Sequence, residues 1–248
     1  MITLKTEREL ELMKDAGRIA ALALAEVAKA IAPGVTTGEL DAIAEKTILS
    51  YGAKPSFKGY NGFPASICAS INNEVVHGIP GLKRLQDGDI ISIDIGAEIS
   101  GYHGDTAKTF AVGEISPLAQ RLIDTTEEAL ARGIAAFKPG GRLSDISHAI
   151  ETHAQAAGFS VVRDLVGHGI GRKLHEAPQV PNFGRPGRGI RLVPGLVLAI
   201  EPMLNVGTCD INFMPDDWTV VTADGSLSAH AEHTVALVED GPLILTRI

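Results

Sequence analysis

The chain has 248 residues, of which 45% are hydrophobic, 21% charged and only 4% aromatic, so a globular core must be built mainly from Ala, Ile, Leu and Val. A formal net charge of −8 excludes nucleic acid as the principal ligand, because phosphate recognition needs a basic face. Two cysteines in unrelated contexts, Cys68 and Cys209, give no disulfide framework and fit a reducing compartment.

The first 21 residues mix charges with apolar residues at helical spacing and contain no uninterrupted apolar stretch. They read as neither a signal peptide nor a membrane span, so a cytoplasmic protein with no membrane partner is expected. A helix is predicted over 7–32, with Leu10, Met13, Ile19, Ala20, Leu24, Val27 and Ile31 on its apolar face, ending at Pro33-Gly34. A second runs from about Thr37 to Tyr51, before Gly52. The apolar run Ile90–Gly96 reads as a buried strand, and a hairpin is predicted between Ile91–Ala97 and Thr106–Val112 across a turn at Glu98–Gly104. Further helices are predicted over Pro117–Phe137 and from Ser144 to about Gly158, followed by apolar strands at 196–201 and 233–238.

This order contains a repeat. Pro33 and Pro139, Gly34 and Gly140, Glu45 and Glu151, and Gly52 and Gly158 are each 106 residues apart. Gly88…Ile93-Asp94 parallels Gly195…Ile200-Glu201 at a spacing of 107, each a turn and an apolar strand ending in one carboxylate. Ser70…His77-Gly-Ile-Pro80 parallels His168…His175-Glu-Ala-Pro178 at a spacing of 98. Asp105-Thr106 and Glu232-His233-Thr234 each open a strand shortly after a histidine, His103 and His230. The expectation is one domain over 1–248 made of two related halves, about 1–112 and 113–248, whose equivalent residues converge near a pseudo-twofold axis.

What would converge is carboxylate. Asp94, Asp105, Glu201 and Glu232 all lie in or beside apolar strands, where an ionised carboxylate costs several kcal/mol unless paired or bound to metal. Four such oxygen donors with one imidazole suit two divalent cations sharing carboxylate bridges. The imidazole chosen is His168, whose glycine neighbours in Gly167-His-Gly-Ile-Gly171 let a ligand or backbone approach closely. That glycine run lacks the lysine and the strand-loop-helix context of a phosphate loop. Gly184–Arg191 reads as a basic surface turn rather than an RNA contact. The matched His77 and His175 are candidates for proton handling and oxyanion stabilisation. His103, His148, His153, His230 and His233 read as structural or surface residues, His103 and His233 the least settled because they lie beside ligands.

The segments Gly59-Tyr-Asn-Gly-Phe-Pro64, Val76-His77-Gly-Ile-Pro80, Ile93-Asp-Ile-Gly96, Gly167-His-Gly-Ile-Gly171, His175-Glu-Ala-Pro178, Ile200-Glu-Pro202 and Glu232-His-Thr234 occur in this order along the chain. Together they resemble the signature of the type I methionine aminopeptidases, from about residue 4 to the C-terminus. The resemblance implies an α+β pita-bread fold: a curved antiparallel sheet flanked by two pairs of helices with internal pseudo-twofold symmetry. It implies that Asp105 and Glu232 bridge two metals, that Asp94 completes one, and that His168 and Glu201 complete the other. The ions would be Mn²⁺, Fe²⁺, Co²⁺ or Zn²⁺.

By the same resemblance a metal-bridging hydroxide attacks the carbonyl after an N-terminal methionine. Glu201 would shuttle the proton, His175 would stabilise the oxyanion and His77 would contact the scissile amide. Tyr60, Phe63, Cys68, His77 and Trp218 would form the methionine pocket, and the second substrate residue would be small. Phe63, Phe57 and Leu174 depart from residues frequent in the family. The substrate would be the N-termini of nascent polypeptides near the ribosome. A monomer without an N-terminal accessory domain is expected. The alternatives are a same-fold aminopeptidase P or prolidase, and a non-catalytic pita-bread protein that binds peptides or ribosomes.

Overall fold

The structure is a computed structural model in which residues 2–248 are described. Helix α1 (Glu7–Ala30) starts at Thr6, whose hydroxyl accepts from the Glu9 amide at 3.3 Å while the Glu9 carboxylate accepts from the Thr6 amide at 2.9 Å. This reciprocal pair satisfies two of the amides that a helix start leaves open. The helix stops two residues short of the predicted 32, because Pro33 drives the preceding backbone toward extended angles and Ile31 already has ψ 112°. Helices α2 (Thr37–Ser50), α3 (Pro117–Ala136) and α4 (Leu143–Ala156) follow their predicted spans to within two residues at each end.

The repeat has a structural counterpart. Gly34 and Gly140 take φ of +90° and +85° before α2 and α4. Their amides bond to Leu85 O and Leu192 O at 2.7 and 2.8 Å. Thr37 N reaches Lys83 O and Leu143 N reaches Ile190 O, both at 3.0 Å. Each helix pair is thus tied to the loop that leads into its own carboxylate strand, at Gly88 (φ +93°) and Gly195 (φ +92°).

A nine-stranded antiparallel sheet carries the centre of the molecule. Its longest members, Ile90–Ile99 and Tyr102–Ala111, form a hairpin of ten residue pairs. The turn is only Ser100-Gly101, with φ of +55° and +76°, shorter than the predicted Glu98–Gly104. Two left-handed residues match the right-handed twist of the flanking strands, and they let pairing continue to Ile99 and Tyr102. Beside this hairpin lies Glu232–Val238, then Val197–Ile200, Gly167–Gly169 and Glu176–Val180.

Alternation fixes which residues face the site. Ile91, Ile93 and Ile95 are fully buried in one cluster with Ile19, Ala23, Val27, Leu40 and Ile48 from α1 and α2. Burying each isoleucine contributes roughly 1.5–3 kcal/mol. Asp94 therefore points to the opposite, concave face. The same logic applies to Glu232–Val238, where Val235 and Leu237 pack with Leu122, Leu130, Ile146 and Ile150 of α3 and α4. Glu232 consequently faces away from those helices. Among the described residues no helix is long and apolar enough to cross a membrane.

Candidate active site

The hairpin register sets Asp94 opposite Ala107 and Asp105 opposite Gly96, so the two carboxylates are diagonal neighbours on the concave face. Glu232 is added by the adjacent strand, where it pairs with Ala107. Thr234 locks this junction: its hydroxyl accepts from Asp105 N at 2.9 Å and donates to Asp105 O at 2.8 Å. Glu201 follows Val197–Ile200, and His168 sits opposite Ala199 in the next strand.

The glycines around His168 have a steric reason. A side chain at Gly167 would strike Ala199 O, and one at Gly169 would strike Ala177 O. The His168 Nδ1–H donates to Gly169 O at 2.8 Å, which leaves Nε2 free and aimed at the carboxylates. Nε2 lies 3.6 Å from Glu201 Oε1 and 4.0 Å from Asp105 Oδ2.

Asp105, His168 and Glu232 each offer a donor atom within 4.8 Å of the other two. Imidazole and carboxylate donors bind a divalent ion at about 2.0–2.2 Å, so two donors of one ion lie about 3–4.4 Å apart. The two His168 contacts fall in that range. Buried Asp94 Oδ1, Asp105 Oδ1 and Glu232 Oε1 have no hydrogen-bond partner, which a cation would supply. The donor set and its orphaned oxygens therefore fit a metal.

The electrostatics agree. Burial, with repulsion from the neighbouring carboxylates, pushes Asp94 and Glu232 well above the usual range. Burial raises Asp105 to about 7 and Glu201 to about 8. It also lowers His168 to about 3, with His175 adding to the effect, so the imidazole is neutral and ready to ligate.

All five candidate ligands line one cavity of about 340 Å³ together with His77, His175, Tyr60, Phe63, Cys68 and Trp218, the full set chosen from the sequence. Phe57, Asn61 and Leu174 complete its wall. Cys68 pairs with Asp94 across adjacent strands, and burial raises its thiol well above the usual value. Phe63 and Trp218 meet edge to face, ring centroids 5.0 Å apart. Trp218 comes from the turn between Ile211–Phe213 and Val220–Thr222, which Asp216 pins by accepting from the Trp218 and Thr219 amides.

His175 stands over His168, centroids 4.2 Å apart, and its Nδ1 is 2.9 Å from Tyr60 Oη. His77 takes a left-handed φ of +59° and is followed by Gly78, where a side chain would strike Ala69 O. Burial, with His230 and His175 nearby, lowers His77 to about 4.

The other histidines separate. His103 Nδ1 lies 2.9 Å from Ser56 Oγ, and His233 Nδ1 lies 2.8 Å from Thr246 Oγ1, on the side of its strand away from Glu232. His153 approaches Glu128 at 3.1 Å. His230, read from the sequence as structural or surface, is 1% exposed, with Nε2 3.5 Å from Glu201 Oε2. Its place two residues before Glu232 is the available signal.

The family model described as metallopeptidase family M24 matches residues 11–239. The chain belongs to this family. It is 58% identical to methionine aminopeptidase 1 of Bacillus subtilis (strain 168) over 248 residues, covering all of both chains. It is 56% identical to the methionine aminopeptidase of Clostridium perfringens, again over the whole of both. Among solved structures, methionine aminopeptidase from Thermotoga maritima superposes with a TM-score of 0.99 at 46% identity, with full coverage of both chains. Xaa-Pro dipeptidase from Bacillus anthracis is more distant, at TM-score 0.79 and 25% identity, and the match covers 62% of that chain.

Proposed function

We propose that this chain is a methionine aminopeptidase, which hydrolyses the bond after an N-terminal methionine when the next residue is small. The observation that carries the reading is one cavity lined both by carboxylates with His168 and by aromatic and apolar side chains. Asp94, Asp105, His168, Glu201 and Glu232 would hold two divalent cations, Mn²⁺, Fe²⁺, Co²⁺ or Zn²⁺, with Asp105 and Glu232 shared between them. Bound there, the ions would polarise the scissile carbonyl and lower the pKa of water.

The rest is done by the chain's own side chains. Tyr60, Phe63, Cys68 and Trp218 receive the methionine side chain, whose burial contributes roughly 1.5–3 kcal/mol and whose flexible thioether suits an aromatic slot. Glu201, in the same cavity, would take and return the proton of the hydrolysis. Tyr60 O–H can donate to His175 Nδ1, which leaves the proton on Nε2 to donate to the developing oxyanion. His77, held by its strained backbone, contacts the scissile amide. The Tyr60–His175 pair, with centroids 5.2 Å apart, lines the same cavity and would limit the room for the second residue.

The substrates on this reading are N-termini of nascent polypeptides near the ribosome, met in the cytoplasm by a monomer that makes no contact with nucleic acid. The test is methionine release from Met-Ala-Ser, Met-Leu-Ser and Ala-Pro-Ser peptides by metal-stripped protein, with and without Mn²⁺ or Co²⁺. Metal-dependent cleavage of Met-Ala-Ser alone is expected. Cleavage of Ala-Pro-Ser would move the assignment to aminopeptidase P, and no cleavage of any peptide would refute the reading.

A further inference from the structure

His230 is a fully buried imidazole that neither the metal set nor the methionine wall uses. Both of its ring nitrogens lack a hydrogen-bond partner, an expensive condition for a polar group in the core. Its backbone is held from two sides. The strand Ser228–His230 pairs with Met203–Asn205, and Thr109 Oγ1 accepts from His230 N at 2.9 Å and donates to His230 O at 2.8 Å. Thr109 belongs to the strand that carries Asp105, so the main chain of His230 is fixed relative to that strand.

Nε2 is 3.5 Å from Glu201 Oε2, a few tenths of an ångström longer than a formed N–H···O bond, so a small side-chain rotation closes it. The other oxygen, Oε1, is the one that faces His168 at 3.6 Å. Glu201 thus stands between two imidazoles, one on each carboxylate oxygen. Asn182 Nδ2 donates to Glu201 O at 2.9 Å, which fixes the main chain there but leaves the side-chain oxygens to the histidines.

We propose that His230 is a positioning residue: its Nε2–H donates to Glu201 Oε2 and so presents Oε1 to the cation shared with His168. The inference rests on the metal-site reading above. A carboxylate bound to a cation can only accept, so the bond requires the proton on Nε2. Such partners of metal ligands set ligand orientation, and their loss typically weakens metal binding by about 10–100-fold.

The test pairs His230→Gln, whose amide can still donate, with His230→Leu, which fills the space and cannot. Mn²⁺ binding to metal-stripped protein is measured by calorimetry, with circular dichroism to establish folding. His230→Leu is expected to weaken Mn²⁺ about 10–100-fold and His230→Gln no more than about threefold. Equal affinity in His230→Leu and wild type, or an equal loss in both variants, overturns the proposal. Because His230→Leu can fail to fold, imidazole ¹⁵N spectra of Zn²⁺-loaded wild-type protein give a second readout. A protonated Nε2 on His230 is expected, and an unprotonated Nε2 refutes the bond. Failure of wild-type protein to bind Mn²⁺ at all would instead refute the metal-site reading.

Discussion

The pair α1–α2 and the pair α3–α4 share the same internal Pro-Gly turn and are tied by equivalent hydrogen bonds, yet the strands they support differ. The first pair packs on a hairpin of ten-residue strands that offers Asp94 and Asp105 from an uninterrupted ladder. The second supports shorter strands, Val197–Ile200 and Glu232–Val238, which with the neighbouring Gly167–Gly169 bring Glu201, Glu232 and His168 from separate segments. The first region is a rigid two-carboxylate platform, while the second supplies the donors that need individual orientation. That difference explains why His168 is flanked by glycines and bonded through Nδ1, and why Glu201 has an imidazole on each oxygen. Asp105 has its backbone clamped by Thr234 instead.

Four changes would break or sharpen this comparison. The largest effect belongs to the platform: Asp105→Asn is expected to abolish metal-dependent methionine release while the protein stays folded, as circular dichroism would show. Near-normal turnover in that variant would remove Asp105 from the bridging position. In the second region, His175→Ala should lower kcat about 10²-fold or more while metal still binds. If metal binding vanished with it, His175 would have to be counted as a ligand.

The third concerns pH. Burial raises Asp105 from 3.8 to about 7 and Glu201 from 4.5 to about 8 in the metal-free protein. A raised carboxyl favours the fold while protonated, so this contribution is complete below the unfolded values and is lost as pH rises through 7 to 8. The Tm of metal-free protein should therefore fall between about pH 5 and about pH 8.5, and added Mn²⁺ should reverse the fall by holding the ionised form. A flat profile without metal would show that these carboxyls are not desolvated as the structure has them.

The smallest effect lies at the helix starts. Thr36 and Glu39 make a reciprocal box before α2, whereas before α4 only Asp145 accepts from Arg142 N, at 2.7 Å, because Arg142 has no acceptor. Thr36→Ala should cost about 1 kcal/mol in denaturant unfolding, and Arg142→Ala less. Equal costs would mean that the starts of α2 and α4 are not stabilised differently.

Much of this is legible in the sequence because it is local or periodic. The Pro-Gly turns and apolar spacing place four helices, and alternation around Asp94 places a carboxylate on the face opposite Ile93 and Ile95. The repeat then predicts convergence, and the motif resemblance names the pocket residues that line the cavity. Turn length escapes such reading because Ser100 adopts a left-handed φ that residue type alone does not announce. His230 reads as merely structural because its meaning depends on the antiparallel pairing of Ser228–His230 with Met203–Asn205 and on Thr109 from a distant strand. Its place two residues before Glu232 is the one hint along the chain, and it does not encode the approach to Glu201.

The most direct measurement is a titration of metal-stripped protein with Mn²⁺, following bound ions per chain and methionine release from Met-Ala-Ser together. No release without metal, and recovery that reaches its plateau at two bound ions per chain, is the predicted result. Release that persists after stripping, or binding of metal without any recovery, would contradict a carboxylate-held metal centre as the source of the activity.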